Sequence, residues 1–356
     1  MLIFDPHTDI ATTRDGVVVN TVNTVGVMGA GVAKAVRERW PSVMAPNKRA
    51  CENGRLEPGA LHVHRLENGQ TVINMATKRH WRDPSEYAWV GSGLLFLSHL
   101  VMSWNARAPN SVTSITLPPP GCGHGGLDWN VVEGMVRAYL QPVIASGVRV
   151  TATRDPGEIC PRPVFYAGVG SRRTPDDVLD VMKGVAERLE RMGFVLRSGG
   201  AIGADSAFEA GLSRPEQSSE IYLAKPRAGG ANDRLDIDPV FTRIAKAFHP
   251  APYALRPHAL KLMARNGCQV FGSDFTMPSD ALICWTKEGR GEGGTGQAIR
   301  LARAAGIPIL DLGGFENRGM TADDVTSVVT GMIARRREAI GLPQPDPMPE
   351  MEPATP

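Results

Sequence analysis

The residues best placed to do chemistry sit in glycine-rich turns that follow apolar runs. The first, Asn20–Ala33, reads NTVNTVGVMGAGVA, follows the run Val17–Asn20 and opens a helical pattern. Small residues let the backbone approach a ligand closely, and the free amides at a helix start favour an anion. A dinucleotide fingerprint needs GxGxxG and an acidic residue about twenty positions later. Gly29, Gly31 and the following Val32-Ala33-Lys34 do not complete that pattern. Asn20 and Asn23 suit either hydrogen bonds to sugar hydroxyls or the fixing of a tight turn. A second run, Pro118–Trp129, reads PPPGCGHGGLDW. Three more turns lie further on: Gly168–Arg172 (GVGSR), Ser198–Ala201 (SGGA) and Gly289–Gln297 (GRGEGGTGQ). Together they suggest a separate nucleotide or phosphate site at the edge of a sheet.

Other chemistries find less support. His62 and His64 alternate on one face of a predicted strand, but no third ligand stands at a metal-binding spacing. The five cysteines, Cys51, Cys122, Cys160, Cys268 and Cys284, contain no CxxC pair, which argues against a zinc ribbon or a disulfide framework. Cys122 reads as a small packed residue. No metal and no cofactor are therefore expected. Lys plus Arg (39) nearly balances Asp plus Glu (37), and a net charge of +2 gives no support for a strongly basic nucleic-acid binder. The start, MLIFDPHTDI, lacks the basic and apolar regions of a signal peptide. The apolar stretch Leu94–Val101 is interrupted by Ser98 and His99 and is too short to span a bilayer. A reduced, cytoplasmic location without a membrane partner is the expectation.

A chain of 356 residues is long for one core, and two domains are expected. Residues 1–154 form the first and 164–340 the second. Residues 155–163, with three prolines in DPGEICPRP, read as the linker. Residues 341–356, proline-rich and without an apolar period, read as a disordered tail. In the first domain, strands are predicted at Val17–Asn20, Leu61–Arg65, Thr71–Met75, Ser114–Leu117 and Val148–Ala152. Helices are predicted up to Trp40, over Val43–Cys51, over Tyr87–Trp104 and from Trp129, with Asp128 as an N-cap. The second domain repeats the alternation, with strands at Val164–Ala167, Phe194–Arg197, Ile221–Leu223, Ala281–Trp285 and Pro308–Leu310. Its predicted helices are Asp176–Met192, Ala204–Gly211 and Gly296–Ala305. The fold class is α/β: two three-layer domains with mostly parallel sheets, ligands collecting at the carboxyl ends of the strands.

Against this background, NTVNTVGVMGAGVAKAVRERWP resembles the ribose-binding loop of macro domains, in particular the DarG antitoxin branch, which removes ADP-ribose from thymidine in DNA. Three further stretches are similar in the same order: Asp9-Ile10, NMATKRHWR at Asn74–Arg82, and the loop from Pro118 to Trp129. The resemblance covers residues 1–150. It implies that Asp9 and Ile10 contact adenine, and that Asn20 and Asn23 contact the distal ribose. Gly29, Ala30 and Gly31 would line that ribose and the diphosphate, and Gly121, Cys122, Gly123, His124 and Gly125 would wrap the diphosphate through backbone amides. Lys78 is implied as the catalytic lysine, acting through a free amine whose pKa burial or Arg79 and Arg82 would lower. A related human glycohydrolase adds an aspartate in its second loop, where this chain has Gly125, as the DarG branch does. Arg79, His80, Trp81 and Arg82 read either as a substrate-facing patch or with Trp81 packed beneath the loop.

In the second domain, AGVGSRRTP, SGGAIGADSAFEAG, ARNGCQVFG and DALICWTKEGRGEGGTGQAIRLA resemble the SLOG superfamily, which includes LOG phosphoribohydrolases, the DprA core and YspA-like proteins. The resemblance spans residues 164–312. Where LOG enzymes place a catalytic glutamate this chain has Gln297, which cannot act as a general acid or base. It therefore implies a Rossmann-like nucleotide binder or sensor. Ser171, Arg172, Gly199, Gly200, Asp205, Gly294 and Thr295 would contact the ligand, with Arg265 and Asn266 as further candidates. The combined expectation is an ADP-ribosyl glycohydrolase acting on DNA or protein, carrying a nucleotide-sensing domain. The alternatives are a non-catalytic reader of ADP-ribose or NAD-derived nucleotides, and a second domain that binds single-stranded DNA.

Overall fold

The computed structural model describes residues 1–14, 16–159, 161–225, 233–234 and 236–344. The chain divides into two compact units: Met1–Cys160 with Asp274–Thr276, and Pro161–Ser273 with Met277–Pro356. The expected tail lies outside the described residues from 345 onward, as does Cys160 of the expected linker.

The first unit runs β1 (Leu2–Phe4), β2 (Val17–Asn23), α1 (Gly31–Arg39), α2 (Met44–Glu52), β3 (Leu61–Arg65), β4 (Thr71–Lys78), α3 (Tyr87–Arg107), β5 (Ser114–Leu117), α4 (Trp129–Ala145) and β6 (Arg149–Ala152). The sheet order is β1-β6-β5-β2-β4-β3. Every pairing is parallel except that of β3 with β4. The central strands β2 and β4 are nearly continuous apolar runs because helices cover both of their faces. Val18, Val22, Val72 and Ala76 pack with Ala33, Val36 and Trp40 of α1 and its end, and with Ala50 of α2. On the other face α3 lies so close that a Cβ at Gly93 would stand 2.8 Å from Cγ of Met75. Asp128 caps α4 as expected, its carboxylate accepting the Asn130 amide at 3.0 Å.

The second unit runs β7 (Phe165–Gly168), α5 (Asp176–Arg191), β8 (Val195–Ser198), α6 (Ala204–Ala210), α7 (Pro215–Ser218), β9 (Ser219–Tyr222), β10 (Asp233–Arg234), α8 (Pro239–Phe248), α9 (Pro257–Phe271), β11 (Ala281–Cys284), α10 (Gly293–Ala304), β12 (Ile309–Asp311) and α11 (Ala322–Ala339). Its sheet, ordered β10-β9-β8-β7-β11-β12, is parallel throughout the described residues. Tyr166, Leu196, Ile221 and Ile283 pack against α5 and α11 through Met182, Val185, Leu189, Val325, Val329 and Ile333. The two-residue period puts Phe165 and Arg197 on the opposite face, where the Arg197 guanidinium lies 3.8 Å from the Phe165 ring centroid.

Several elements escape a reading by period. β1 is three residues long, too short to carry a pattern, and exists because it pairs with β6 from the other end of the unit. In α9 the apolar stripe is broken by Arg265, Asn266 and Gln269, all of which are buried. A buried polar face looks, in sequence, like a solvated one.

The second unit is closed by a buried charge cluster. Asp280 accepts from Arg162 at 3.0 Å, from the Phe165 amide at 3.3 Å and from Arg337 at 3.4 Å. Arg337 is itself buried and donates to the carbonyls of Pro343 and Arg162. Removing the carboxylate leaves a guanidinium uncompensated in the interior, a change that costs about 3–5 kcal/mol. Asp280→Ala is therefore expected to lower the urea midpoint of this unit strongly, while Asp323→Ala, on an exposed pair with Arg188, is expected to leave it within about 0.5 kcal/mol. Equal midpoints for the two variants would contradict this assignment.

Candidate functional site

The first unit holds a cavity of about 980 Å³ where the carboxyl ends of β2 and β4 meet two glycine loops. The register of these strands is regular from Val17↔Thr71 to Val22↔Ala76, and then slips by one residue so that Asn23 faces Lys78. Such a bulge bends a strand end and re-aims its side chains. Beyond it the backbone carbonyls of Lys78 and Arg79 both accept the Thr24 amide at 3.1 Å, and the Thr24 hydroxyl donates to the Arg79 carbonyl at 2.8 Å. The end of β4 is thus stitched to the start of the first loop.

That loop is held by one side chain. The Asn23 carbonyl oxygen accepts the amides of Val25 and Val27, each at 3.2 Å, and its amide group donates to the Val27 carbonyl at 2.7 Å. Gly29, Ala30 and Gly31 follow along the cavity wall, with Gly31 at φ +53° starting α1. The second loop closes on itself, Leu127 donating its amide to Gly121 at 3.1 Å and Gly126 to Gly123 at 3.1 Å. Ser85, ahead of α3, donates its backbone amide to the Gly125 carbonyl at 2.9 Å. There is no room for a side chain at Gly125: its Cβ would lie 2.2 Å from the Gly121 carbonyl oxygen and 2.3 Å from Oγ of Ser85.

Lys78 joins the two loops, its ammonium donating to the carbonyl of His124. Burial lowers its pKa from the ordinary lysine value, and Asp83 opposes that shift. The sequence also offered Arg79 and Arg82 as the cause; desolvation is the cause the structure supports. Burial pushes the Cys122 thiol up to about 12, which leaves it no thiolate to use at neutral pH.

Asn23, Gly29, Ala30, Gly31, Lys78, Gly121, Gly123, His124 and Gly125 come together on the cavity wall. Four expected residues do not. Asn20 is fully buried between strands, its amide donating to Asn74 at 2.8 Å across the sheet, and it does not line the cavity. Cys122 points away, toward the Pro120 carbonyl. Asp9 is exposed and caps its own turn by accepting the Ala11 amide at 2.9 Å, while Ile10 belongs to the apolar core. Conversely, Thr21, Thr77, Trp81, Arg82 and Ser85 also line the cavity. Ser85 was missed because a serine just before a helix reads as a cap. Here it caps nothing, and its buried hydroxyl has no partner within the protein.

The second unit has its own cavity, of about 900 Å³. Ser171, Arg172, Asp205, Arg265, Asn266, Gly294 and Thr295 line it, with Arg173, Trp285 and Lys287 in addition. Asp205 is buried, accepts the Gly170 amide at 3.2 Å and pairs with Arg265 at 3.1 Å. Asn266 donates to the Gly294 carbonyl at 2.8 Å, tying α9 to the start of α10. Gly199 and Gly200 do not reach the wall. Gly199 is there for clearance: a Cβ would overlap Nη1 of Arg265 at 1.1 Å. Gln297 is fully buried, bonded to Arg300 at 2.7 Å and to the Ala245 carbonyl at 3.3 Å, so the amide is a packing element.

This sheet, with its one antiparallel edge pairing and two glycine loops at its strand ends, lies in the region that the macro domain family model matches, residues 19–136. The N-terminal unit is a macro domain. Among relatives, the DNA ADP-ribosyl glycohydrolase of Mycobacterium tuberculosis is 39% identical over 127 residues, 35% of this chain and 34% of that protein. The DNA ADP-ribosyl glycohydrolase of Thermus aquaticus is 38% identical over 135 residues, 37% of this chain and 35% of that protein. The solved macrodomain of Thermus aquaticus DarG is 34% identical, covers 44% of this chain and 99% of its own, and superposes with a TM-score of 0.38. The match thus spans about a third of the length of these curated relatives.

The packing of the second loop makes a direct prediction. Gly125→Ala is expected to push the Gly121–Leu127 loop off Ser85, and hydrogen exchange at the Ser85 and Leu127 amides should accelerate at least about 10-fold. Gly123→Ala, with nothing within 4 Å of its Cβ, should leave both amides unchanged. Protected amides in Gly125→Ala would show that the loop does not depend on this contact.

Proposed function

We propose that the macro domain binds ADP-ribose in the 980 Å³ cavity and removes it from a DNA base, with Lys78 as the catalytic residue. The observation that carries this reading is Lys78 itself: a lysine with a lowered pKa, at the end of β4, that bonds the second glycine loop through the His124 carbonyl. The names of the relatives support the same activity. The backbone amides of Gly121–Gly125 and the start of α1 suit a diphosphate, and Asn23, Gly29, Ala30 and Gly31 suit the ribose beyond it. Asp9 and Ile10 are retained as the adenine contact on resemblance alone.

In this reading the free amine of Lys78 attacks the anomeric carbon as the bond from that carbon to the base nitrogen breaks. The departing base takes up a proton, and water then releases ADP-ribose and regenerates the amine. A protein-linked ADP-ribose is the second candidate substrate, and no residue of the cavity requires a metal or cofactor for the step. The proposed division of the chain is a macro domain over 1–154, a linker over 155–163 and a nucleotide-binding domain over 164–340. The second cavity, with Arg172, Arg173 and Lys287 on its wall and Gly293 and Gly294 opening α10, suits a phosphorylated ligand. Among the described residues no helix is long and apolar enough to cross a membrane. The cytoplasmic setting remains part of the proposal, consistent with free thiols at Cys51, Cys122, Cys268 and Cys284.

Lys78→Ala is expected to keep ADP-ribose affinity within about 3-fold and to lose at least about 100-fold in release of ADP-ribose from an ADP-ribosylated single-stranded oligonucleotide. Wild-type kcat/KM should rise with pH as the amine deprotonates and level off below the ordinary lysine pKa of about 10.4. Undiminished turnover in Lys78→Ala would remove the lysine from the mechanism, and no release by the wild type would favour a reader of ADP-ribose. For the second unit, Arg172→Ala with Lys287→Ala should weaken binding of AMP or NAD by about 10-fold in calorimetry. An unchanged affinity would exclude those side chains from the site.

A further inference from the structure

Trp81 is 47% exposed, yet it lines the same cavity as Lys78, three residues earlier in the chain. Trp40, Trp89 and Trp129 of the same unit are buried and Trp104 is half-buried, so Trp81 is the most exposed indole of the unit. It is not loosely placed. The Arg82 guanidinium carbon lies 4.4 Å from the Trp81 ring centroid, and the His80 ring centroid lies 5.2 Å away, tilted by 33°. The Arg82 amide donates to Nδ1 of His80 at 3.2 Å and the Asp83 amide to the His80 carbonyl at 3.1 Å, fixing the turn that presents the ring. The Thr24 contacts to the Arg79 carbonyl anchor that turn to the first glycine loop. At this exposure the Trp81 ring is not packed beneath the loop.

We propose that Trp81 and Arg82 form a platform on which a nucleobase of a single-stranded nucleic acid stacks as its ADP-ribose enters the cavity. The proposal rests on the hydrolase reading of Lys78 and deepens it by naming what the enzyme grips outside the cavity. Every base has a flat π-face, so an aromatic platform serves a strand of any sequence, and a cation beside the ring suits the phosphate that follows the base. A duplex hides those faces, and a peptide carries no obligatory planar group at the modified position. Trp81 and Arg82 act as positioning residues, on substrate capture and not on bond breaking.

The test compares wild type, Trp81→Ala and Trp81→Phe in the full chain, with ADP-ribosylated single-stranded oligonucleotide, ADP-ribosylated protein and free ADP-ribose. The expected result is a KM about 10-fold higher for the oligonucleotide in Trp81→Ala. The kcat, the affinity for ADP-ribose and turnover of the protein substrate should stay within about 2-fold, and Trp81→Phe should recover most of the loss. Equal losses on both macromolecular substrates, or an unchanged KM for the oligonucleotide, overturn the platform while leaving the hydrolase reading intact. Release from the protein alone makes a peptide the partner and also overturns it. If the wild type releases ADP-ribose from neither, the hydrolase reading falls. Binding of the ADP-ribosylated oligonucleotide to Lys78→Ala and to Lys78→Ala/Trp81→Ala then decides the platform separately, about 10-fold weaker in the double variant if it exists and equal if it does not.

Discussion

The slip in register between β2 and β4 governs the geometry of the first unit. Up to Val22↔Ala76 the two strands are ordinary neighbours in a buried parallel sheet, and one residue later Asn23 is opposite Lys78. From that point Asn23 turns inward to staple the first loop, Thr24 reaches back to the carbonyls of Lys78 and Arg79, and Lys78 crosses to His124 of the second loop. Each contact depends on the bulge having brought those residues level. A lysine taken partly out of water beside its hydrogen-bond acceptor then has a lowered pKa as a consequence of position.

The second unit solves a similar problem with charge in place of a bulge. Asp205 and Arg265 pair in the interior, and the glycine at 199 makes space for the guanidinium. A buried pair of this kind contributes little net stability against an apolar replacement, but removing either partner is expensive. It fixes the position of α9 relative to the Gly170 turn, whose amide Asp205 also accepts. Asn266 carries the same constraint to the glycines that start α10. The two cavities therefore share a logic: strand ends supply backbone amides, and one buried polar side chain sets the distance between neighbouring loops.

Two side chains show how a local signal misleads when its surroundings are unknown. Asn20 and Asn23 look equivalent in sequence, three residues apart on the same strand. Asn20 falls among packed strands and donates to Asn74, whereas Asn23 ends the strand and holds a loop. Ser85 looks like a helix cap, but it lines the cavity and its buried hydroxyl has no partner within the protein. Polar groups in the interior must find partners, and which partner is available depends on chain segments far away in sequence.

Most of the order of strands and helices, the glycine turns at strand ends, the macro-domain character of the first part and the candidacy of Lys78 were legible in the sequence alone. They depend on period, on residue size and on motifs in register, all of which are local properties of the chain. The tertiary structure alone decided which residues meet. It placed Asp9, Ile10, Asn20 and Cys122 off the first cavity wall and brought Ser85, Trp81 and Arg82 onto it. It also removed Gly199 and Gly200 from the second wall and buried Gln297 against Arg300. It gave existence to β1 and α9, whose patterns are too short or too polar to announce themselves. The physical reason is the same throughout. A side chain's type limits what it can do, but its burial, partners and aim are set by packing against segments far away in the chain, as the bond from Arg337 to the Arg162 carbonyl, 175 positions away, shows.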